Sequence, residues 1–367
     1  MECNSMYVST VQTVLAGDIG GTKTRLAAVE VEGTQVRIVR ESSYASRNFA
    51  TFDLLLADFL SGDKPDGHAR FSHPNLSPQA GEGANERLRE FQVTAAAFGV
   101  AGPVQGRVVQ TTNLPWRIDA DALQRQFGFA HCTLLNDLEA TAYGLSALGP
   151  NDLLTLQAGV ANSTGNAAVI AAGTGLGEAG LYWDGQQHQP FATEGGHASF
   201  SPGSELEMAL LCHLQQQHQH VSWERVVSGM GLLSLHDFLR QYRKVTIPGW
   251  LAEEMRHGDA AAVISNAALA GRDEICVETL DCFVRLYGAE AGNLALKVMS
   301  RGGLYVGGGI APKILPVLTS GVFLEAFLNK GRMRHLLEVM PVRVILNDRA
   351  ALYGPAIRAA QLAVEKS

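Results

Sequence analysis

The sequence predicts an α/β protein of two lobes related in design, each offering a glycine hairpin to a shared cleft, with the second lobe enlarged by helices. Three observations predict it. The chain has 367 residues, more than one core usually serves. An apolar strand, a glycine loop carrying a threonine and a second strand occur twice, around Gly20-Gly21-Thr22 and around Gly173-Thr174-Gly175. Finally, Leu134-Leu135-Asn136-Asp137-Leu138-Glu139-Ala140 reads as the end of a buried strand opening into a helix, the place where a doubly wound sheet carries its chemistry.

Hydrophobic residues make up 46% of the chain and charged ones 18%, which suits a globular protein with little disorder. The net charge is −7, and no lysine or arginine cluster persists, so a nucleic-acid partner is disfavoured and an anionic substrate must be met by local donors. Five scattered cysteines without a Cys-x-x-Cys read as reduced thiols of a cytosol. No lysine or arginine precedes Lys23 and no apolar leader is present, so no signal peptide is expected. No apolar run approaches the ~20 residues that span a bilayer. The expectation is a soluble, cytoplasmic protein.

Taken in order, Thr13–Gly17 is an apolar strand, Arg25–Val31 a second and Gln35–Arg40 a third, and their glycine turns indicate an antiparallel start to a sheet. Thr51–Leu60 has helical periodicity, with Phe52, Leu55, Leu56 and Phe59 on one face. From 61 to about 85 the chain is rich in proline and glycine, which reads as a surface insertion without catalytic duty, followed by a helix over Glu86–Phe91. Val93–Val100 and Val108–Thr112 are strands, Ala120–Phe127 a helix capped by Asp119, and Cys132–Leu135 the strand that delivers Asp137. The pattern restarts with strands Ala167–Ala172 and Glu178–Trp183. A mostly helical stretch runs from Ser204 to Met299, then come the strands Gly303–Val306 and Val342–Leu346 and a closing helix from about Arg349 that packs on the first lobe. The boundaries expected are 1–147 with 347–367 for the small lobe and 148–346 for the large one.

Three glycine turns follow apolar strands: Gly17-Asp18-Ile19-Gly20-Gly21-Thr22, Gly173-Thr174-Gly175-Leu176-Gly177 and Gly307-Gly308-Gly309. Glycine lets backbone approach a ligand, and consecutive N–H groups form an anion nest. The Walker and dinucleotide spacings are both missed, and the three turns beside Asp18 and Asp137 favour a nucleotide phosphate over NAD. Asp18 can hold Mg²⁺ through water, or it can serve as an Asx-turn residue at the Gly20-Gly21 bend. Asn136 and Glu139 have the spacing of a capping box, and Asn136 can cap while Asp137 faces the cleft as a base. In Glu194-Gly195-Gly196-His197 the two glycines are expected to deny the helix that would align the flanking side chains. Polar groups on such a loop suit sugar hydroxyls, and a satisfied turn histidine is the alternative. Cys212-His213 with His218 and His220 reads as a solvated helix face rather than a metal tract.

These motifs, with Glu224-Arg225-Val226-Val227-Ser228-Gly229, recur in the order found in the bacterial ATP-dependent glucokinases of the non-ROK type, which the chain resembles from about residue 13 to 360. The resemblance implies a two-lobed actin/hexokinase-like (ribonuclease H-like) fold with an interlobe cleft. It implies Asp137 as the base toward the glucose 6-hydroxyl, and Asn136, Asp137, Glu194, His197 and Glu224 as sugar ligands. Gly17 through Thr22 and Gly173, Thr174, Gly175 and Gly177 are then the phosphate loops, and Gly307, Gly308 and Gly309 part of the adenosine site. ATP, Mg²⁺ near Asp18, and a homodimer are implied as well. Glu224 is a residue that spacing alone passes over as an ordinary charge.

The cysteine-rich zinc motif of ROK sugar kinases is missing, which argues against that branch and against structural zinc. The activity expected is phosphoryl transfer from ATP to glucose. The rival readings are a kinase for another hexose, an actin-like ATPase without a sugar acceptor, and a non-catalytic sugar sensor. Glu194, His197 and Glu224 argue against an ATPase. A sensor would need a DNA-binding segment, and the first strand starts too early for one.

Overall fold

The computed structural model describes residues 11–61, 93–111 and 113–365. The expected 61–85 insertion beyond Ser61 and the helix over Glu86–Phe91 lie outside the described residues, as does Thr112. The chain divides into two compact units, one of residues 1–148 with 349–367 and the other of residues 149–348.

The first unit is built on a five-stranded sheet. Strands β1 (Gln12–Ile19), β2 (Lys23–Glu32) and β3 (Gln35–Ala45) form an antiparallel meander. Beyond β1 lie β4 (Ala95–Val100) and, after the short β5 (Val104–Gln105), β6 (Val108–Gln110) and β7 (Arg117–Asp119), β8 (His131–Asn136). The order is β3-β2-β1-β4-β8, with β1, β4 and β8 parallel. A sheet with parallel strands is covered on both faces, which is why β1 is apolar without alternation. On one side Leu15, Leu26 and Phe98 pack against Phe52, Leu55, Leu56 and Phe59 of the helix Phe52–Ser61, together with Trp116. On the other, Val14, Ala16, Ala27, Ala95 and Ala97 pack against Leu352, Ala356 and Ile357 of the helix Ala350–Glu365.

Small side chains let that last helix come close. A methyl group added at Gly354 would overlap the Ala140 carbonyl oxygen, and one at Gly144 would overlap that of Ala350. Gly144 and Ala140 belong to the helix Asp137–Gly144, so the two helices meet nearly backbone to backbone. Each Leu or Ile buried there stabilises the unit by roughly 1.5–3 kcal/mol.

The second unit holds a six-stranded sheet. Its strands are β9 (Leu153–Gln157), β10 (Ala167–Ala172), β11 (Leu176–Trp183), β12 (His188–Thr193), β13 (Gly303–Gly307) and β14 (Val342–Ile345), in the order β12-β11-β10-β13-β14-β9. The parallel pairs are β10 with β13 and β13 with β14. Tyr287, fully buried on the helix Glu274–Val298, accepts the Ala172 N–H through its phenol oxygen at 3.1 Å. The same hydroxyl lies 3.2 Å from the Ile170 carbonyl and 3.1 Å from that of Gly307. It thereby clamps the carboxyl ends of β10 and β13.

The short β5 and β7 of the first unit escaped the sequence reading, as did two strands at the edges of the second sheet: β9 is half-exposed, and β12 carries Pro190, which an edge strand tolerates. No single helix among the described residues is long and apolar enough to cross a membrane.

Candidate active site

In the first unit the register sets Ile19, Val100 and Asn136 side by side, so three parallel strands finish on one line. The carboxyl edge of such strands is where α/β sheets meet their ligands. Asn136 closes β8 and caps the helix Asp137–Gly144. Its Oδ1 accepts the Leu138 N–H at 2.9 Å, and Glu139 Oε2 accepts the Asn136 N–H at 3.4 Å, completing the capping box. The Asn136 Nδ2 donates to the Gly102 carbonyl at 3.3 Å and has a second N–H to offer. Asp137 opens the helix, half-buried, with Oδ1 accepting the Leu138 N–H at 2.9 Å. A negative charge at this end of a helix is favoured by the helix dipole.

The stretch Gly17 to Thr22 divides in two. Gly17 lies inside β1, where a Cβ would come 2.7 Å from the Phe98 ring, and Ile19 is its buried last residue. The turn itself is Gly20-Gly21-Thr22. The Gly20 N–H donates to the Lys23 carbonyl at 3.0 Å, while Ser46 binds both the Gly20 carbonyl (Oγ, 2.7 Å) and the Thr22 carbonyl (N–H, 3.0 Å). A trans peptide points its N–H opposite to its carbonyl, so the Gly21 N–H is turned away from Ser46. Asp18 pairs with Arg25, its cross-strand partner, whose Nη2 and Nε reach Oδ2 at 2.9 and 3.3 Å. The Gly20-Gly21 bend is therefore closed by Lys23 and Ser46.

In the second unit Ala171 pairs with Gly307, so the Gly173 turn and Gly308-Gly309 leave one edge together. The Gly173 N–H donates to the Gly175 carbonyl, and the Gly173 carbonyl accepts the Gly229 N–H, both at 2.8 Å. Gly229 opens the helix Gly229–Arg243, which Ser228 caps. The left-handed φ of Gly308 (+83°) carries the chain over Ala172, where a side chain would strike backbone.

Beside this turn stands a cluster of acids around a histidine. Glu224 Oε2 accepts the Leu176 N–H at 3.0 Å and lies against Gly175, whose missing side chain makes room for it. His197 sits 4.0 Å from Glu224 through Nδ1 and 3.8 Å from Glu194 through Nε2. The two glycines between Glu194 and His197 were expected to prevent a helical turn, and a 3-10 turn forms over Gly195–His197 all the same. It brings the Glu194 and His197 side chains together.

A family model described as Glucokinase matches residues 15–362. The glucokinase of Trichormus variabilis is 41% identical, over 95% of this chain and 99% of its own. The chain belongs to the glucokinase family. The Synechocystis glucokinase is 39% identical over 95% of this chain and 98% of that one. The crystal structure of a glucokinase from an Antarctic psychrotroph superposes with a TM-score of 0.78 at 30% identity, covering 96% of this chain and all of the other. The fold is thus the hexokinase-like fold of the sugar kinases, and membership makes the chain a sugar kinase with ATP as phosphate donor.

Within this glucokinase-family chain, the predicted site residues fall into two groups. Asp18, Gly20, Gly21, Thr22, Asn136 and Asp137 share one edge of the first unit. Glu194, His197 and Glu224 stand with Gly173, Thr174 and Gly175 in the second, where Gly177 lies within β11, Gly307 closes β13 and Gly308 and Gly309 follow it. Sequence reasoning missed the supports: Ser46 behind the first turn, Tyr287 beneath the second, and Ser228, whose Oγ donates to the Glu224 carbonyl at 2.7 Å. Only Ser228 had a local signal, as a polar residue just before a helix.

Proposed function

We propose that this chain transfers the γ-phosphoryl group of ATP to the 6-hydroxyl of glucose, with Asp137 as the general base. The observation that carries the proposal is the position of Asp137, an acid at the carboxyl edge of parallel strands, in line with the glycine turn after β1. Phosphoryl transfer passes through a loose transition state, so the protein's work is positioning and charge stabilisation. Asp137 accepts the proton of the attacking hydroxyl. Asn136 orients a neighbouring hydroxyl with its second N–H. Glu194, His197 and Glu224 hold the remaining hydroxyls through charge-assisted hydrogen bonds, which specify a sugar rather than water as acceptor.

The turns Gly20–Thr22 and Gly173–Gly177 receive the phosphates through backbone N–H groups, and Gly307–Gly309 lies along the adenosine. Mg²⁺ on the triphosphate supplies neutralisation of its charge. Because Arg25 already engages Asp18 Oδ2, contact through a water of the ion fits Asp18 better than direct coordination. The family resemblance extends the proposal to a cytoplasmic homodimer.

The test is a coupled assay of ADP release with ATP-Mg²⁺, with and without glucose and a panel of other hexoses. Glucose-dependent turnover is expected, and Asp137→Ala should lower kcat by ~10²–10⁴ while glucose still binds. Release indifferent to every sugar would sink the glucose reading, and a normal kcat in the variant would remove Asp137 from the chemistry.

A further inference from the structure

Glu178 follows the Gly173–Gly177 turn on β11, yet its side chain enters the core, where the residue is 2% exposed. Near it, Glu290 on the helix Glu274–Val298 is 0% exposed, so two buried acids face one another's charge. Two carboxylates buried near one another repel, so one of them holds its proton more firmly than a solvated acid does. Glu178 Oε1 has no hydrogen-bond partner among the described residues.

The donors around the two acids favour the charge on Glu290 and leave the proton to Glu178. Asn293 Nδ2 donates to Glu290 Oε2 at 2.7 Å, and Lys297 Nζ to Oε1 at 3.3 Å from a half-exposed side chain. Lys330, which bonds the Asn293 Oδ1 and the Ala289 carbonyl, is a second cation nearby; Glu207 lies beside it and Tyr287 near Glu178. Burial first, and then the charge of Glu290, raise the proton affinity of Glu178.

The other side of Glu178 is the floor of the 194–197 turn. A Cβ at Gly195 would overlap Glu178 Oε2, so the carboxyl lies directly against the Gly195 Cα. Thr193 ties the same place: its Oγ1 donates to the Glu178 carbonyl at 3.0 Å and accepts the Gly195 N–H at 3.3 Å. Glu194 and His197 flank the supported glycines.

We propose that Glu178, buried beneath Gly195 and near Glu290, is a positioning residue for glucose, acting through the Gly195–His197 turn. With the proton in place the pair is compact and the turn rests on it. Loss of the proton to hydroxide sets two carboxylates against each other beneath Gly195 and displaces Glu194 and His197. The inference rests on the reading that those two residues hold the sugar.

The experiment is steady-state kinetics of the full chain from about pH 6 to about pH 9.5, separating the KM for glucose, the KM for ATP and kcat. In the unsubstituted chain the glucose KM should climb about tenfold above neutrality, the ATP KM and kcat far less. Glu178→Gln carries a permanent N–H donor toward Glu290 and should abolish that alkaline climb. Glu178→Ala should raise the glucose KM at every pH, and if it does not fold the glutamine variant still decides. A climb that persists in Glu178→Gln, or a glucose KM that never climbs, overturns the inference. Glu194→Gln and His197→Ala separate the two readings: if neither alters the glucose KM, the sugar assignment fails. If both raise it while the Glu178→Gln climb persists, only the positioning role fails.

Discussion

Replacing Gly175 by alanine tests the join between the second glycine turn and the sugar ligands. A carbon and an oxygen in contact need roughly 3.5 Å, and the new methyl would intrude on Glu224 Oε2 by about 1 Å. The obstacle is the end of a side chain, and Gly175 has no left-handed φ, so the backbone can stay while the carboxylate swings aside. That movement breaks the 3.0 Å bond from the Leu176 N–H and takes Glu224 out of line with His197. A charged hydrogen bond lost in this way costs ~1.5–3 kcal/mol, equivalent to roughly 10–150-fold in an equilibrium constant. The glucose KM should therefore rise by one to two orders of magnitude, with the ATP KM within about threefold, in a coupled assay that varies each substrate in turn. Circular dichroism melting should show a fold of near-normal stability. A glucose KM within about twofold of the unsubstituted chain would refute the argument, because Glu224 would then be free to move without consequence.

Two further substitutions probe the scaffold. Gly354→Ala drives a methyl into the Ala140 carbonyl, and since both atoms are held by helices, denaturant unfolding should show a loss of about 1–3 kcal/mol, or more. Asp273→Ala removes both the cap of the helix Glu274–Val298 and the 2.6 Å partner of Arg240, each side chain being 8% exposed. Leaving that guanidinium buried and unpaired should cost about 3–5 kcal/mol by chemical denaturation.

The parts legible in the sequence are those set by neighbours along the chain. The apolar runs of β1, β4, β8, β10 and β13 cannot be satisfied on a surface, and each announces a buried strand. The capping box at Asn136 and Glu139 is a three-residue relation and was readable as one. What escaped depends on contacts between distant residues. Glu178 looks like any charge at a strand start, and only Glu290, on a helix more than a hundred residues on, makes it a buried acid. The 3-10 turn at Gly195 was unexpected because glycine disfavours helix. Its conformation is imposed from outside, by Glu178 against Gly195 and by the Leu176 carbonyl against Gly196, where no side chain could fit. Glu224 owes its place likewise to a short turn that no periodicity marks.

The helix Ala350–Glu365 belongs to a unit whose other residues precede Gly149, so roughly 200 residues of the second unit are made before it. At ~5–20 residues per second, a ribosome needs on the order of 10–40 s for that stretch. Throughout it the alanine-lined face of the first sheet, around Ala16, Ala27 and Ala97, has no cover of its own. The first sheet to be synthesised is thus the last to be finished. A nascent or truncated chain carries an open apolar face that marks it as incomplete to any chaperone that reads such surfaces, and the signal is withdrawn only when the final helix docks.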